Sequence, residues 1–355
     1  MADIDDTTSA ETTFLHAIDQ AIDRFVSAQL PSFEPLGDDV VGFFHAAAAF
    51  VTGGKRLRAS FVRAGWLGAS GESAAPVMVD TAAAIELLQG SALVHDDLMD
   101  DSDTRRGRPS VHRDFEGRHR DAGRVGDAEW FGRSTAVLMG DLLLSWSNEL
   151  IVDAAARVET TAGRRAVTLY DRCKSEVAAG QFLDVVAQTR PDVSVDDAML
   201  VARYKSAKYT VERPLQIGAA LAGGDDALLD GLSAVALPLG VAFQLRDDVL
   251  GVFGDPEITG KPAGDDLREG KRTVLVGRAL ELVGPSERSG LLAALGTDDG
   301  VAAARDLIRA SGALEAIEAD IADLEAEADA AIDRLDQQAQ AVLRPLALRA
   351  TRRAR

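Results

Sequence analysis

The chain contains one cysteine, Cys173, in 355 residues. An intramolecular disulfide is excluded, and a cysteine-based zinc site has no ligands to draw on. Aromatic residues make up only 5 %, so a core drawn from a hydrophobic content of 46 % must be built of Ala, Leu and Val. Lysine is scarce as well. Of 38 basic residues six are lysine (Lys55, Lys174, Lys205, Lys208, Lys261 and Lys271), which makes each of them informative. Positive charge as a whole is in deficit. A net charge of -19 argues against non-specific nucleic-acid binding and favours solubility. No window approaches the ~20 apolar residues of a membrane span. The acidic start MADIDDTTSAETT is unlike a signal peptide. These absences lead us to expect a soluble, cytoplasmic protein with no membrane span and no nucleic-acid partner. Strand-type alternation never persists, and no hairpin dipeptide sits between apolar strands.

What remains is helix. Residues 1–12 read as a disordered acidic tail. Phe14, Leu15, Ile18, Ile22, Phe25 and Val26 then form a helical stripe over 13–30, which Pro31 and Pro35 close. Further helices are predicted over 39–51, 58–69, 76–101, 131–157, 162–188, 196–222, 225–254, 271–281, 287–295 and 300–311, with a long last one over 313–342. The charged stretch 102–130 reads as a loop or lid. Its Glu116 and His119 form an ExxH pair, but a polar setting and the lack of a second copy argue against a di-iron site. Residues 346–355 read as a basic tail. The expected architecture is a single all-α domain over 13–345.

Chemistry concentrates in two acidic runs. In IELLQGSALVHDDLMDDSDTRRGRPSVH, Asp96, Asp97 and Asp100 fall at i, i+1 and i+4, so Asp96 and Asp100 share a helical face one turn apart. Carboxylates that close repel unless a cation lies between them. Oxygen ligands suit Mg2+, which takes one or two carboxylates, waters and substrate phosphates. Arg105 and Arg106 follow, and arginine forks match phosphate oxygens. An acidic run can equally be a solvated helix end. Here Leu93, Val94, Leu98 and Met99 interleave the acids, which puts the helix mostly inside.

The second run, FQLRDDVLGVFGDPEITGKPAGDDLREGKRT, repeats this logic. Gln244, Asp247 and Asp248 lie at i, i+3 and i+4, and Lys261 and Lys271 follow. Two such helices facing each other would place aspartates across a cavity, a geometry suited to several Mg2+ ions on one diphosphate. Elsewhere, GGKRLR puts Lys55 and Arg58 on one face after two glycines, although a helix start with solvated charges explains it too. Gln181 and Asp184, and Lys205, Ser206 and Lys208, are polar groups in apolar helices that need partners.

In order and spacing, GGKRLR, DDLMD with RRG, GQFLD, the Lys205-Ser206 pair and FQLRDD with GKPAGDDLREGKRT resemble the trans-isoprenyl diphosphate synthases (polyprenyl synthetases) over about residues 14–345. The resemblance implies antiparallel helices around a deep central cavity, a homodimer, and Mg2+-dependent head-to-tail condensation of isopentenyl diphosphate onto dimethylallyl, geranyl or farnesyl diphosphate. By the same resemblance Lys55, Arg58, Gln89 and Arg106 hold isopentenyl diphosphate. Arg105, Lys205, Ser206, Gln244, Lys261 and Lys271 hold the allylic diphosphate. Asp96, Asp100 and Asp247 ligate Mg2+, about three ions per site, supported by Asp97 and Asp248. Asp96, Asp100, Asp247, Lys205 and Arg105 form the expected catalytic set. Gly251 stands where the third acid of the second motif is usual. His95 reads as structural. Chain length is expected to be set along the Asp96 helix by Ser91, Ala92, Leu88 and Ile85. Small residues at 91 and 92 point to a C20 product, with C25 or longer and C15 as alternatives. A class I terpene cyclase and a non-catalytic synthase subunit are the rival readings. The former leaves GGKRLR and the second acidic run unexplained, and the latter does not predict that both acidic runs are kept.

Overall fold

The computed structural model describes residues 2–70, 75–255 and 263–351. The fold is all-α, and the chain divides into two compact units. The first comprises Met1–Asp103, Pro109–Val167 and Ile217–Gly224. The second comprises Thr104–Arg108, Thr168–Gln216 and Asp225–Arg355.

In the first unit lie α1 (Ala2–Phe33), α2 (Asp38–Val51), α3 (Leu57–Ser70), α4 (Pro76–Met99), α5 (Val111–Asp121) and α6 (Ala128–Ala155). Helix α4 is the central rod, packed against α1, α3 and α6. It starts with Pro76 in the first turn, where a missing N–H costs nothing. Every side chain from Thr81 to Leu88 is buried. The scarce aromatics gather beside it: Trp146 meets Phe44 edge-on at 5.2 Å and Phe25 at 6.1 Å, while Phe33 meets Phe44 at 4.7 Å. Asp127 caps α6 by accepting a hydrogen bond from the Trp130 N–H.

The second unit takes the later part of α7 (Thr160–Gln188), then α8 (Val195–Val201), a π-helical segment (Ala202–Glu212) and the start of α9 (Arg213–Leu221). There follow α10 (Asp226–Phe253), the single turn α11 (Asp265–Arg268), α12 (Val274–Leu282), α13 (Pro285–Ala294), α14 (Val301–Ser311), α15 (Ala313–Ile332) and α16 (Gln337–Thr351). Helix α10 packs on the π segment and α15. The core there is aliphatic, with Leu245, Val252, Leu267, Leu275, Ile308 and Ile317 fully buried.

Several local expectations are corrected. Helix α1 begins at Ala2, where a disordered tail was read: residues 2–12 carry no Pro or Gly, and acids suit a helix N-terminus. It also runs through Pro31 to Phe33. The supposed loop 102–130 holds a two-residue hairpin, Thr104–Arg105 with Arg108–Pro109, and helix α5, which buries Val111, His112, Phe115, Glu116 and His119. That helix is so polar overall that its short apolar face escapes a periodicity search. The long final helix is two helices, because the chain turns after Ile332 and Asp336 accepts the Ala339 N–H at 2.8 Å. The basic tail is helical to Thr351, with Leu346, Ala347 and Ala350 buried. Finally, α4 and α10 are long and apolar enough to cross a membrane, contrary to the reading of the sequence. Their most apolar stretches are 67 % and 61 % buried within the protein, as core helices are.

Candidate active site

In the first unit the GGKRLR turn is made by Gly53 (φ 75°) and Gly54 (φ 99°). Lys55 is exposed and Arg58 half-buried on α3. Between them Arg56, also at positive φ (47°), points inward. It donates to Asp19 (2.5 Å), Glu86 (3.1 Å) and the Val51 carbonyl (2.7 Å), and Glu86 also accepts the Ala59 N–H at 3.2 Å. Arg56 thus ties the GGKRLR turn to α4. The residue types gave no sign of this, because Arg56 and Arg58 look alike in sequence.

On α4, Asp97 is only 1 % exposed, whereas Asp96 and Asp100 are half-buried. The i, i+4 pair therefore presents to one accessible face and Asp97 backs it from inside. Down the same helix Ala92 and Gln89 are half-buried, while Ser91, Leu88 and Ile85 are buried. The backbone leaves α4 at Asp101 (φ 51°), whose carboxylate takes Arg133 (3.0 Å) and Arg113 (3.3 Å); Arg113 also holds Asp103 at 2.8 Å. His95 packs on Gly140, with Nε2 3.4 Å from the Val137 carbonyl. In the hairpin, Arg106 (φ 53°) and Gly107 (φ 71°) form a two-residue left-handed turn after half-buried Arg105. Arg56, Asp101 and Arg106 are the non-glycine residues at positive φ among those described, and all three sit inside the motif segments. Such strain collects at functional sites.

In the second unit, Lys205 lies on the π segment and donates to Asp184 of α7 at 2.6 Å, so two polar groups in apolar helices partner each other. Ser206 is half-buried beside it. The segment is clasped closely from two sides. A Cβ added at Gly180 would lie 2.4 Å from the Lys205 backbone nitrogen, and one at Gly240 2.6 Å from the Ala207 Cα. Below, Glu176 accepts two hydrogen bonds from Arg213 at 2.7 Å, Lys208 reaches Glu212 (3.0 Å) and Glu176 (3.3 Å), and Gln216 and Ser233 complete the group. Burial alone would raise Glu176, but the Arg213 and Lys208 contacts outweigh it and hold the carboxyl below its ordinary value.

On α10, Asp248 is buried and Asp247 half-buried; Gln244 donates to Asp248 at 2.7 Å. Burial, then the neighbouring charges of Asp266, Asp247 and Asp184, push the Asp248 carboxyl well above the usual range. Lys271 pairs with Glu269 (2.6 Å) and lies 3.6 Å from Asp266. Lys261 lies outside the described residues. The sequence does not single out Asp266 from its neighbour Asp265. Nothing in its spacing from Asp247 reveals it, because it arrives from a returning connection.

Among the described residues no three His, Cys, Asp or Glu side chains form a ready metal cage. Mg2+ held by a carboxylate or two, water and substrate phosphate needs none. The donor set fits such an ion: all-oxygen ligands, with buried acids whose mutual repulsion a cation relieves.

The sequence pattern of the family described as Polyprenyl synthetase matches residues 43–310. A geranylgeranyl pyrophosphate synthase from Corynebacterium glutamicum, complexed with isoprenyl diphosphate and magnesium, is similar in structure. Its TM-score is 0.91 at 40 % identity, covering 96 % of this chain and 99 % of that one. A geranylfarnesyl diphosphate synthase from Aeropyrum pernix is 34 % identical over 266 residues, 74 % of this chain and 78 % of that protein. A (2E,6E)-farnesyl diphosphate synthase from Mycobacterium tuberculosis is 37 % identical over 225 residues, 63 % of this chain and 56 % of that protein. With both acidic runs carried on core helices, the chain belongs to the polyprenyl synthetase family and is a prenyltransferase of the trans-prenyl diphosphate synthase kind.

Proposed function

We propose that the protein condenses isopentenyl diphosphate head-to-tail with dimethylallyl, geranyl or farnesyl diphosphate and releases geranylgeranyl diphosphate, C20, as a Mg2+-dependent cytoplasmic homodimer. Lys55, Arg58, Gln89 and Arg106 donate to the diphosphate of isopentenyl diphosphate. Arg105, Lys205, Ser206, Gln244, Lys261 and Lys271 donate to that of the allylic substrate. Asp96, Asp100 and Asp247, with Asp97 and Asp248 behind them, would hold Mg2+, about three ions, which would supply positive charge against that building on the departing diphosphate. Donors fixed before the reaction begins stabilise the same charge without reorganising. The allylic carbon left behind is cationic and is attacked by the isopentenyl double bond. Apolar side chains along α4 keep water from it. The released diphosphate then takes the last proton, so no dedicated histidine is needed, and His95 is engaged in packing on Gly140.

The observation that carries the C20 reading is the exposure along α4. Ala92, about 40° around the helix from Asp96, is half-buried and small. Leu88 and Ile85 below it are buried. At about 1.5 Å per residue the eleven residues from Asp96 to Ile85 span about 16 Å, near the reach of a C20 tail. Ala92→Phe should shorten the main product to C15, and Ile85→Ala should lengthen it. Chromatography of the dephosphorylated products reads both. An unchanged product from Ala92→Phe would mean the tail does not follow this helix. The geranylfarnesyl relative makes C25 the second reading.

A further inference from the structure

The two acidic runs of this chain are built alike, and their pattern of acids differs at one place. The first reads Asp96-Asp97-Leu98-Met99-Asp100 and the second Asp247-Asp248-Val249-Leu250-Gly251. Glycine is a poor choice inside helix α10, since it loses more backbone freedom than any other residue and packs nothing. Its position is nevertheless filled. A Cβ built on Gly251 would lie 1.9 Å from Asp266 Oδ2, 2.6 Å from its Cγ and 3.2 Å from Oδ1. A side chain at 251 would have to displace the Asp266 carboxylate from where it stands. What stands in the space of a third side chain is a carboxylate from another segment.

The approach is held by backbone. The Gly264 N–H donates to the Gly251 carbonyl at 3.0 Å, so the returning connection docks on the same residue that leaves room for it. One turn on, Leu267 is fully buried and its carbonyl accepts the Gly296 N–H at 2.9 Å. The Lys271 N–H donates to the Asp266 carbonyl at 2.9 Å. Asp266 is therefore carried on an anchored turn.

We propose that Asp266 supplies the third carboxylate of the second acidic cluster, entering the place that Gly251 leaves open, and helps hold Mg2+ on the substrate diphosphate beside Asp247. This rests on the prenyl-transfer reading above. It makes Gly251 and Asp266 a matched pair: one is small because the other is there.

The test uses the full chain as wild type, Asp266→Asn, Gly251→Asp and the exchange Gly251→Asp/Asp266→Ala. The probe is Mg2+ with inorganic diphosphate. The readout is the Mg2+ concentration giving half of the maximal thermal stabilisation, with prenyl transfer at varied Mg2+ beside it. Asp266→Asn keeps the side-chain volume and should raise the half-saturating Mg2+ by about tenfold or more. Gly251→Asp should lower the melting temperature without metal, because its side chain meets Asp266. The exchange variant should recover both the melting temperature and most of the Mg2+ dependence. An unchanged Mg2+ dependence in Asp266→Asn, or an exchange variant no better than Asp266→Asn, overturns the pairing, as does a wild type that Mg2+ and diphosphate fail to stabilise. A wild type that binds both but makes no prenyl product overturns the reaction assigned above and leaves the Asp266 result standing.

Discussion

Lys55 and Lys205 are both assigned to diphosphate, yet they stand in different settings. Lys55 is exposed, whereas Lys205 is held at 2.6 Å by Asp184, itself only 7 % exposed. Lys55→Ala should therefore weaken isopentenyl diphosphate by about 10- to 150-fold, the worth of one charge-assisted contact, with an unchanged melting temperature. Lys205→Ala should weaken the allylic substrate to a similar extent and also lower stability by about 1–3 kcal/mol, because Asp184 loses its partner. Substrate-resolved kinetics beside thermal melts separate the two, and equal effects on both substrates would contradict the two-site assignment. Asp96→Ala and Asp247→Ala should each cost several powers of ten in rate while the fold survives, since carboxylates crowded by like charge gain nothing from each other without metal. Near-normal turnover in either folded variant would remove these residues from the metal set. The sequence alone names these residue types and their helical faces. It does not distinguish Arg56, buried under the turn, from Arg58 two places on.

Among elements, the π segment Ala202–Glu212 is the least legible in sequence. Its residues read as part of one helix over 196–222, and helical periodicity is too blunt to register a local change of winding. Gly180 and Gly240 admit it, because their missing side chains let backbone approach backbone. Gly180→Ala should lower the melting temperature and raise KM for the allylic substrate, since the obstacle is the Lys205 main chain, which cannot swing aside. Unaltered values would show that the close approach is dispensable. The Glu176–Arg213 pair anchors the same segment. Glu176 sits below its ordinary value of 4.5, so its contribution is present above that pH and is lost as pH falls through the folded-state value. Glu176→Gln should cost about 3 kcal/mol at pH 7, the low end for breaking a buried pair, because Gln216 still accepts from Arg213. Melts of the two proteins should draw together as pH falls below 4.5 and through the lower folded-state value. A gap that persists there would point to packing rather than charge.

For the whole molecule, charge is the first consequence. A net charge of -19 repels itself, and raising salt from about 0.01 to 1 M shortens the screening length from about 30 to 3 Å. The melting temperature should rise over that range, and a fall would show that ion pairs outweigh the general repulsion. Sequence by itself determined the all-α class and the helices that carry the acids. Helical periodicity is a local property, and residue chemistry is written in the letters. Tertiary structure decided the partners. It placed Asp184 against Lys205, Glu86 and Asp19 around Arg56, and Asp266 in the space above Gly251. It also turned the polar stretch after Asp103 into a helix, by giving Phe115 and His119 something to bury against. Periodicity states which face of a helix is apolar. What meets that face is set by segments tens of residues away, and no spacing within one helix encodes their arrival.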